Sequence, residues 1–204
     1  MAVTEDAPPH TLVILGSARA RRFGHVVARW FMRQTERRTD MTFELADLQD
    51  WQHDYYSRAK PAAASDYEDD EQARRWADVV GRADGFVIIS PEYNYGYPAV
   101  LKSALDSVYR EWNRKPVAFV TYGGWSGGVR AMQQLREVVV ELQMAPVRTS
   151  LVMQFGPRLF DDEGNLKEPQ VLEQQAVRLL DDLAWWTLAL RAARRASEHE
   201  HASR

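Results

Sequence analysis

No cysteine occurs among the 204 residues. That excludes disulfides, thiolate metal sites and a cysteine nucleophile, so any redox chemistry has to come from a bound cofactor. An excess of one charge is also missing: 26 Lys and Arg against 29 Asp and Glu leave a formal net charge of −3. A weakly acidic chain has no general attraction for nucleic acid or an anionic membrane, and neither is expected as a partner. No apolar run approaches the roughly 18 residues that span a bilayer. The opening "MAVTEDAPPHTLVIL" carries Glu5 and Asp6 where a signal peptide needs positive charge, which makes a cytoplasmic protein the expectation. The five histidines (His10, His25, His53, His199 and His201) lack metal-ligand spacing, so no metal site is expected.

What the chain does have is alternation. Five short apolar runs read as strands: "TLVIL" at 11–15, "TFELAD" at 42–47, "GFVIIS" at 85–90, "VAFVTY" at 117–122 and "RTSLVM" at 148–153. Most are continuously apolar, as strands covered on both faces of a parallel sheet are. Helical periodicity fills the intervals, for example Val26, Val27, Trp30 and Phe31 after the first strand. It also runs through Leu101, Ala104, Leu105, Val108 and Trp112 along 98–112. Five alternations predict a doubly wound α/β sandwich with strand order 2-1-3-4-5. One domain is expected over 10–195, with flexible segments at 1–9 and 196–204. The connection 47–66 is long and its first part, 47–58, is aromatic, which marks it as more than a linker.

Open parallel sheets bind ligands beyond the carboxyl ends of their strands, where strand order reverses. Three loops lie there. "GSARARRFG" at 16–24 offers a hydroxyl at Ser17 and cations at Arg19, Arg21 and Arg22, then a helix starting near Phe23 or Gly24. Together these make an anion site. Neither a Walker loop nor G-x-G-x-x-G is present, so a phosphate monoester suits it better than a pyrophosphate. "SPEYNYGYPAVLKSALD" at 90–106 holds six residues between Pro91 and Pro98, three of them tyrosines. Such a loop presents backbone N–H groups and flat side chains to a planar ring. "TYGGWSGG" at 121–128 has four glycines in six residues and leads into a helix, so its helix-start N–H groups at Gly128 and Val129 are expected to meet developing negative charge. Each loop also has a plain structural reading, as a solvated turn, a packed turn or a flexible one. Jointly they describe the outline of flavin mononucleotide (FMN).

These same motifs carry a resemblance. The chain resembles the NAD(P)H-dependent FMN reductase family of flavodoxin-like proteins over residues 11 to 153, most specifically in "PEYN". The resemblance implies FMN at a dimer interface, NADPH or NADH as electron donor, a small-molecule acceptor such as a quinone, free flavin or azo compound, and a homodimer or dimer of dimers. It assigns Ser17 and Arg19 to the phosphate, with Phe23 and Gly24 beside them. Pro91, Glu92, Tyr93 and Asn94 fall to the isoalloxazine and ribityl, and Tyr122, Gly123 and Gly124 to the pyrimidine edge. No catalytic side chain is implied, because the flavin carries the chemistry. Tyr95 stands where histidine is more usual and Ser103 where asparagine is. Tyr95 would alter the donor or acceptor pocket. Trp112 extends an apolar helix stripe and is read as a dimer contact. Tyr55, Tyr56 and Trp125 are read as walls of the substrate pocket or the dimer. An electron carrier without NAD(P)H activity, an FMN enzyme dedicated to one biosynthetic intermediate, and a non-catalytic dimeric interaction domain without the cofactor are the competing readings.

Overall fold

The computed structural model describes residues 7–51, 60–65, 67 and 70–202, with side chains of the final helix described as far as 197. Five strands, β1 (His10–Leu15), β2 (Thr42–Asp47), β3 (Gly85–Pro91), β4 (Pro116–Gly123) and β5 (Ala145–Gln154), form one parallel sheet in the order β2-β1-β3-β4-β5. The order is the one the alternation predicts. Five helices connect and cover them: α1 (Gly24–Thr35), α2 (Glu71–Arg82), α3 (Ala99–Asp106), α4 (Val129–Glu141) and α5 (Pro169–Ala202).

The period-two geometry of the strands makes two cores out of one sheet. Leu12, Ile14, Phe86, Ile88, Val117 and Phe119 face α2, α3 and α4. Their chain neighbours Val13, Leu15, Val87, Ile89, Ala118 and Val120 face α1 and α5. β3 is buried at every residue and β4 at all but its last. That double coverage is why these strands lack polar alternation.

Four details depart from the sequence reading. The edge strand β5 begins at Ala145 and not at 148, tolerating Pro146 beside an irregularity opposite Val117–Phe119. The stripe 98–112 is not one helix: α3 stops at Asp106, where the Ser107 hydroxyl donates to the Ser103 carbonyl, and a 3₁₀ turn covers Arg110–Trp112. Trp112 is therefore not a dimer contact. It is fully buried, and its indole N–H donates to the carbonyls of Leu105 (3.1 Å) and Val108 (3.0 Å), satisfying the end of α3. Finally, α5 stays helical through 196–202, where polar composition suggests a frayed tail, and His10 opens β1 instead of lying in a terminal segment. Asp70 caps α2 by accepting from the Ala73 N–H at 2.8 Å, as an acidic helix start should. Tyr55, Tyr56, His53 and Asp69 lie outside the described residues. No helix among the described residues is long and apolar enough to cross a membrane.

Candidate active site

The carboxyl ends of β1, β3, β4 and β5 converge on a cavity of about 420 Å³. Eight of the eleven residues singled out from sequence line it: Arg19, Phe23, Pro91, Glu92, Tyr93, Tyr122, Gly123 and Gly124. Three unrelated loops meet here because β1, β3 and β4 are lateral neighbours in the sheet.

The β1 loop forms one end. Arg19 is exposed, and its guanidinium lies over the Tyr93 ring, 5.5 Å from the centroid. Ser17 is fully buried, and its hydroxyl shares a 2.8 Å hydrogen bond with the Tyr93 phenol. The residue preceding α1, Phe23, offers no capping side chain, so the positive end of the helix dipole meets the loop without an internal anion. Gly24 is required there by close packing: a Cβ would come 2.4 Å from the Tyr122 phenol oxygen. Tyr122 is buried, with Phe23 edge-on at 5.8 Å. Burial, then the neighbouring Tyr93, pushes its phenol well above the ordinary range, so it stays protonated. Arg22 does not join this site. Its guanidinium turns back under the sheet edge to Asp47 and Gln49, because a buried cation needs a carboxylate partner.

The β3 loop ends in a tight reversal in which Tyr93 and Gly96 exchange backbone hydrogen bonds of 2.8 and 3.0 Å. The two central residues, Asn94 and Tyr95, have φ of +48° and +79°. Asparagine tolerates that region well, which accounts for Asn94 as a turn residue. It is exposed at the tip and does not line the cavity. Tyr95 also points outward, 63% exposed, with the Arg130 guanidinium 4.1 Å from its ring centroid.

Glu92 does something the sequence reading missed. Its carboxylate accepts from the Ser126 hydroxyl (2.6 Å) and the Arg130 backbone N–H (3.2 Å), and pairs with the Arg130 guanidinium at 2.5 Å. It thus caps α4 from across the site. Burial alone would raise its pKa, but the Ser126 and Arg130 donors outweigh that and hold the carboxyl below its usual range. The helix-start N–H groups expected to serve a ligand are consumed: Gly128 N–H donates to the Ser126 hydroxyl, Val129 N–H to the Ser126 carbonyl and Arg130 N–H to Glu92. The bare backbone is at Gly124 instead, where an added Cβ would meet nothing within 4 Å.

Phe155, Pro157 and Arg158, just after β5, complete the wall. The Phe155 ring stands between Trp125, edge-on at 5.2 Å, and the Arg158 guanidinium, 4.9 Å from its centroid. Phe155 has φ of +50°, and its N–H donates to the Gly124 carbonyl at 3.1 Å. Backbone strain of this kind clusters at ligand sites. The signal was present as "QFGPR" directly after the last strand, but the switch-point rule directs attention to β1, β3 and β4.

Comparison with known proteins places the chain in a family. Residues 9–157 match the family model of NADPH-dependent FMN reductase. An NAD(P)H-dependent FMN reductase of Schizosaccharomyces pombe is 38% identical over 148 residues, covering 71% of this chain and 74% of that protein. One from Saccharomyces cerevisiae is 34% identical over 142 residues, covering 65% and 74%. Among solved structures, a flavoenzyme NAD(P)H:(acceptor) oxidoreductase from Paracoccus denitrificans superposes with a TM-score of 0.68 at 21% identity, covering 89% of this chain and 98% of that one, which speaks for the fold. With the site's three loops inside the matched span, the chain belongs to the NADPH-dependent FMN reductase family.

Proposed function

We propose that this protein is an NAD(P)H-dependent oxidoreductase that binds FMN in the 420 Å³ cavity and reduces a small planar acceptor, as a cytoplasmic homodimer. The observation that carries the reading is the meeting of the three predicted loops around one cavity of ligand-binding size. The residues fit the group. Arg19 and the uncapped start of α1 suit a phosphate, while the buried Ser17 hydroxyl fixes the Tyr93 phenol beside them. Pro91, Tyr93, Tyr122 and Phe155 supply flat apolar contact. Gly124 leaves backbone open where a ring edge needs close approach.

FMN when bound would supply the redox chemistry, two-electron transfer by hydride from NAD(P)H to the acceptor. The chain supplies position. Arg19 would hold the phosphate electrostatically. Glu92 acts as a positioning residue, locking the β3 loop onto the β4 loop through Ser126 and Arg130, so Pro91 and Gly123–Gly124 keep a fixed spacing. The neutral Tyr122 phenol adds no charge to its part of the cavity wall. Donor and acceptor would use the same open face in turn, predicting parallel lines in two-substrate steady-state plots. The expected dimer would bury some of the exposed apolar surface, which includes Trp125 at 81% and Trp185 at 64% exposure.

The test is the visible spectrum of purified protein with added FMN, followed by anaerobic NADPH. A protein-bound flavin that bleaches supports the reading. A bound flavin that stays oxidised refutes the reductase and favours an electron carrier. Absence of flavin binding refutes the assignment of the cavity.

A further inference from the structure

A second cavity, of about 600 Å³, lies at the amino-terminal ends of the central strands β3 and β4. Its walls are the end of α2, the residues leading into β3 and β4, the 3₁₀ turn after α3, and α5. Six cations line it: Arg82, Arg110, Lys115, Arg191, Arg194 and Arg195. Only two carboxylates, Asp84 and Glu111, share the lining. In a chain whose net charge is −3, this is a concentration of the minority sign.

The two acids are already engaged. Asp84 accepts from the His10 backbone N–H (3.1 Å) and the Arg194 guanidinium (2.8 Å), and lies 3.5 Å from Arg191. Glu111 accepts from the Tyr67 hydroxyl at 3.0 Å. Lys115 is only 7% exposed, and its ammonium donates to the carbonyls of Val80 and Gly81, both at 3.0 Å. An ammonium has three N–H donors, so those two neutral acceptors leave one, and no described carboxylate pairs with it. A buried cation without an ionic partner is costly to keep. Burial and the nearby Arg194 accordingly bring its pKa down to about 8.

We propose that this cavity is a second ligand site, binding a multiply charged oxyanion of the phosphate class against Lys115 and the surrounding arginines. Guanidinium groups match phosphate oxygens in geometry, and several cations together favour a ligand with more than one charge. The site is separate from the flavin cavity, which lies beyond the other ends of the strands. A bound anion would tie α5 to the end of α2 and to the starts of β3 and β4, so it should stabilise the whole fold.

Pyrophosphate is the probe, titrated calorimetrically into protein saturated with FMN, with sodium chloride controls of matched ionic strength. One saturable site is expected, with a Tm rise of about 5–10 °C at a hundredfold excess over Kd. Lys115→Gln should weaken binding about 10–100-fold, and so should the doubly substituted Arg110→Gln/Arg195→Gln, whose more accessible positions make folding secure. Arg19→Gln, in the other cavity, should leave pyrophosphate binding intact and separates the two sites even if FMN does not bind. Binding that is lost with Arg19 and kept with both basic-cavity variants overturns the proposal. So does a Tm rise that follows ionic strength without saturable heat.

Discussion

Replacing Gly24 with alanine should destabilise the protein, although alanine is the better helix former. At an open helix position the change favours folding by up to about 1 kcal/mol. Here the new Cβ would stand 2.4 Å from the Tyr122 phenol oxygen and 2.9 Å from a Leu15 methyl group. Neither neighbour has room, since Tyr122 is 6% and Leu15 1% exposed. The phenol must retreat by about 1 Å to reach ordinary contact. Overpacking of this kind costs about 1–3 kcal/mol, and disturbing the buried hydroxyl about 1 more. Subtracting the propensity gain leaves a net loss of about 2 kcal/mol, a fall in Tm of about 4–8 °C for a chain of this size. Urea denaturation of the parent, Gly24→Ala, Tyr122→Phe and the double variant closes the cycle. Removing the phenol oxygen leaves the nearest Tyr122 ring atom at 3.4 Å, so the double variant should recover about 1 kcal/mol over additivity. A Gly24→Ala protein as stable as the parent, or a cycle with no coupling, refutes the packing of Tyr122 against α1.

Other consequences are equally direct. If the proposed phosphate role of Arg19 holds, Arg19→Gln should weaken FMN binding about 10–100-fold in a fluorescence titration while leaving Tm unchanged, because Arg19 is exposed. Gly124→Ala meets no protein atom within 4 Å, so the urea midpoint should hold while FMN affinity falls; equal affinity would mean that the flavin does not approach this backbone. Glu92 has a folded pKa below its ordinary 4.5, so its contribution is complete above that value and is lost as pH falls through the lower folded value. The stability gap between parent and Glu92→Gln should therefore be wide at pH 7 and narrow near pH 3; a gap independent of pH contradicts the assignment. Trp112→Ala should cost about 3–5 kcal/mol by denaturation with no change of oligomeric mass in light scattering, since the indole is core and not interface.

The sequence by itself determined the sheet and its order. Continuous apolar runs such as "GFVIIS" report burial on both faces, and their alternation with helical stripes leaves few ways to wind the chain. It also directed attention to the strand ends at the switch point, where the three loops meet on one cavity, because topology fixes those ends. What it left open were relations across the sheet. Glu92 does line the cavity, but only its distances to Ser126 and Arg130 show that its carboxylate also caps a distant helix. Arg22 reads as a phosphate ligand until Asp47, a neighbour only through β1–β2 pairing, claims it. Trp112 looks like an interface residue on a helical wheel, but a break after Asp106 turns its indole onto the carbonyls of α3. Phe155 and Arg158 enter the site only because β5 lies beside β4. Local pattern encodes which face a residue buries. Which partner it meets there depends on contacts between segments far apart in the chain, and only the tertiary structure decides those.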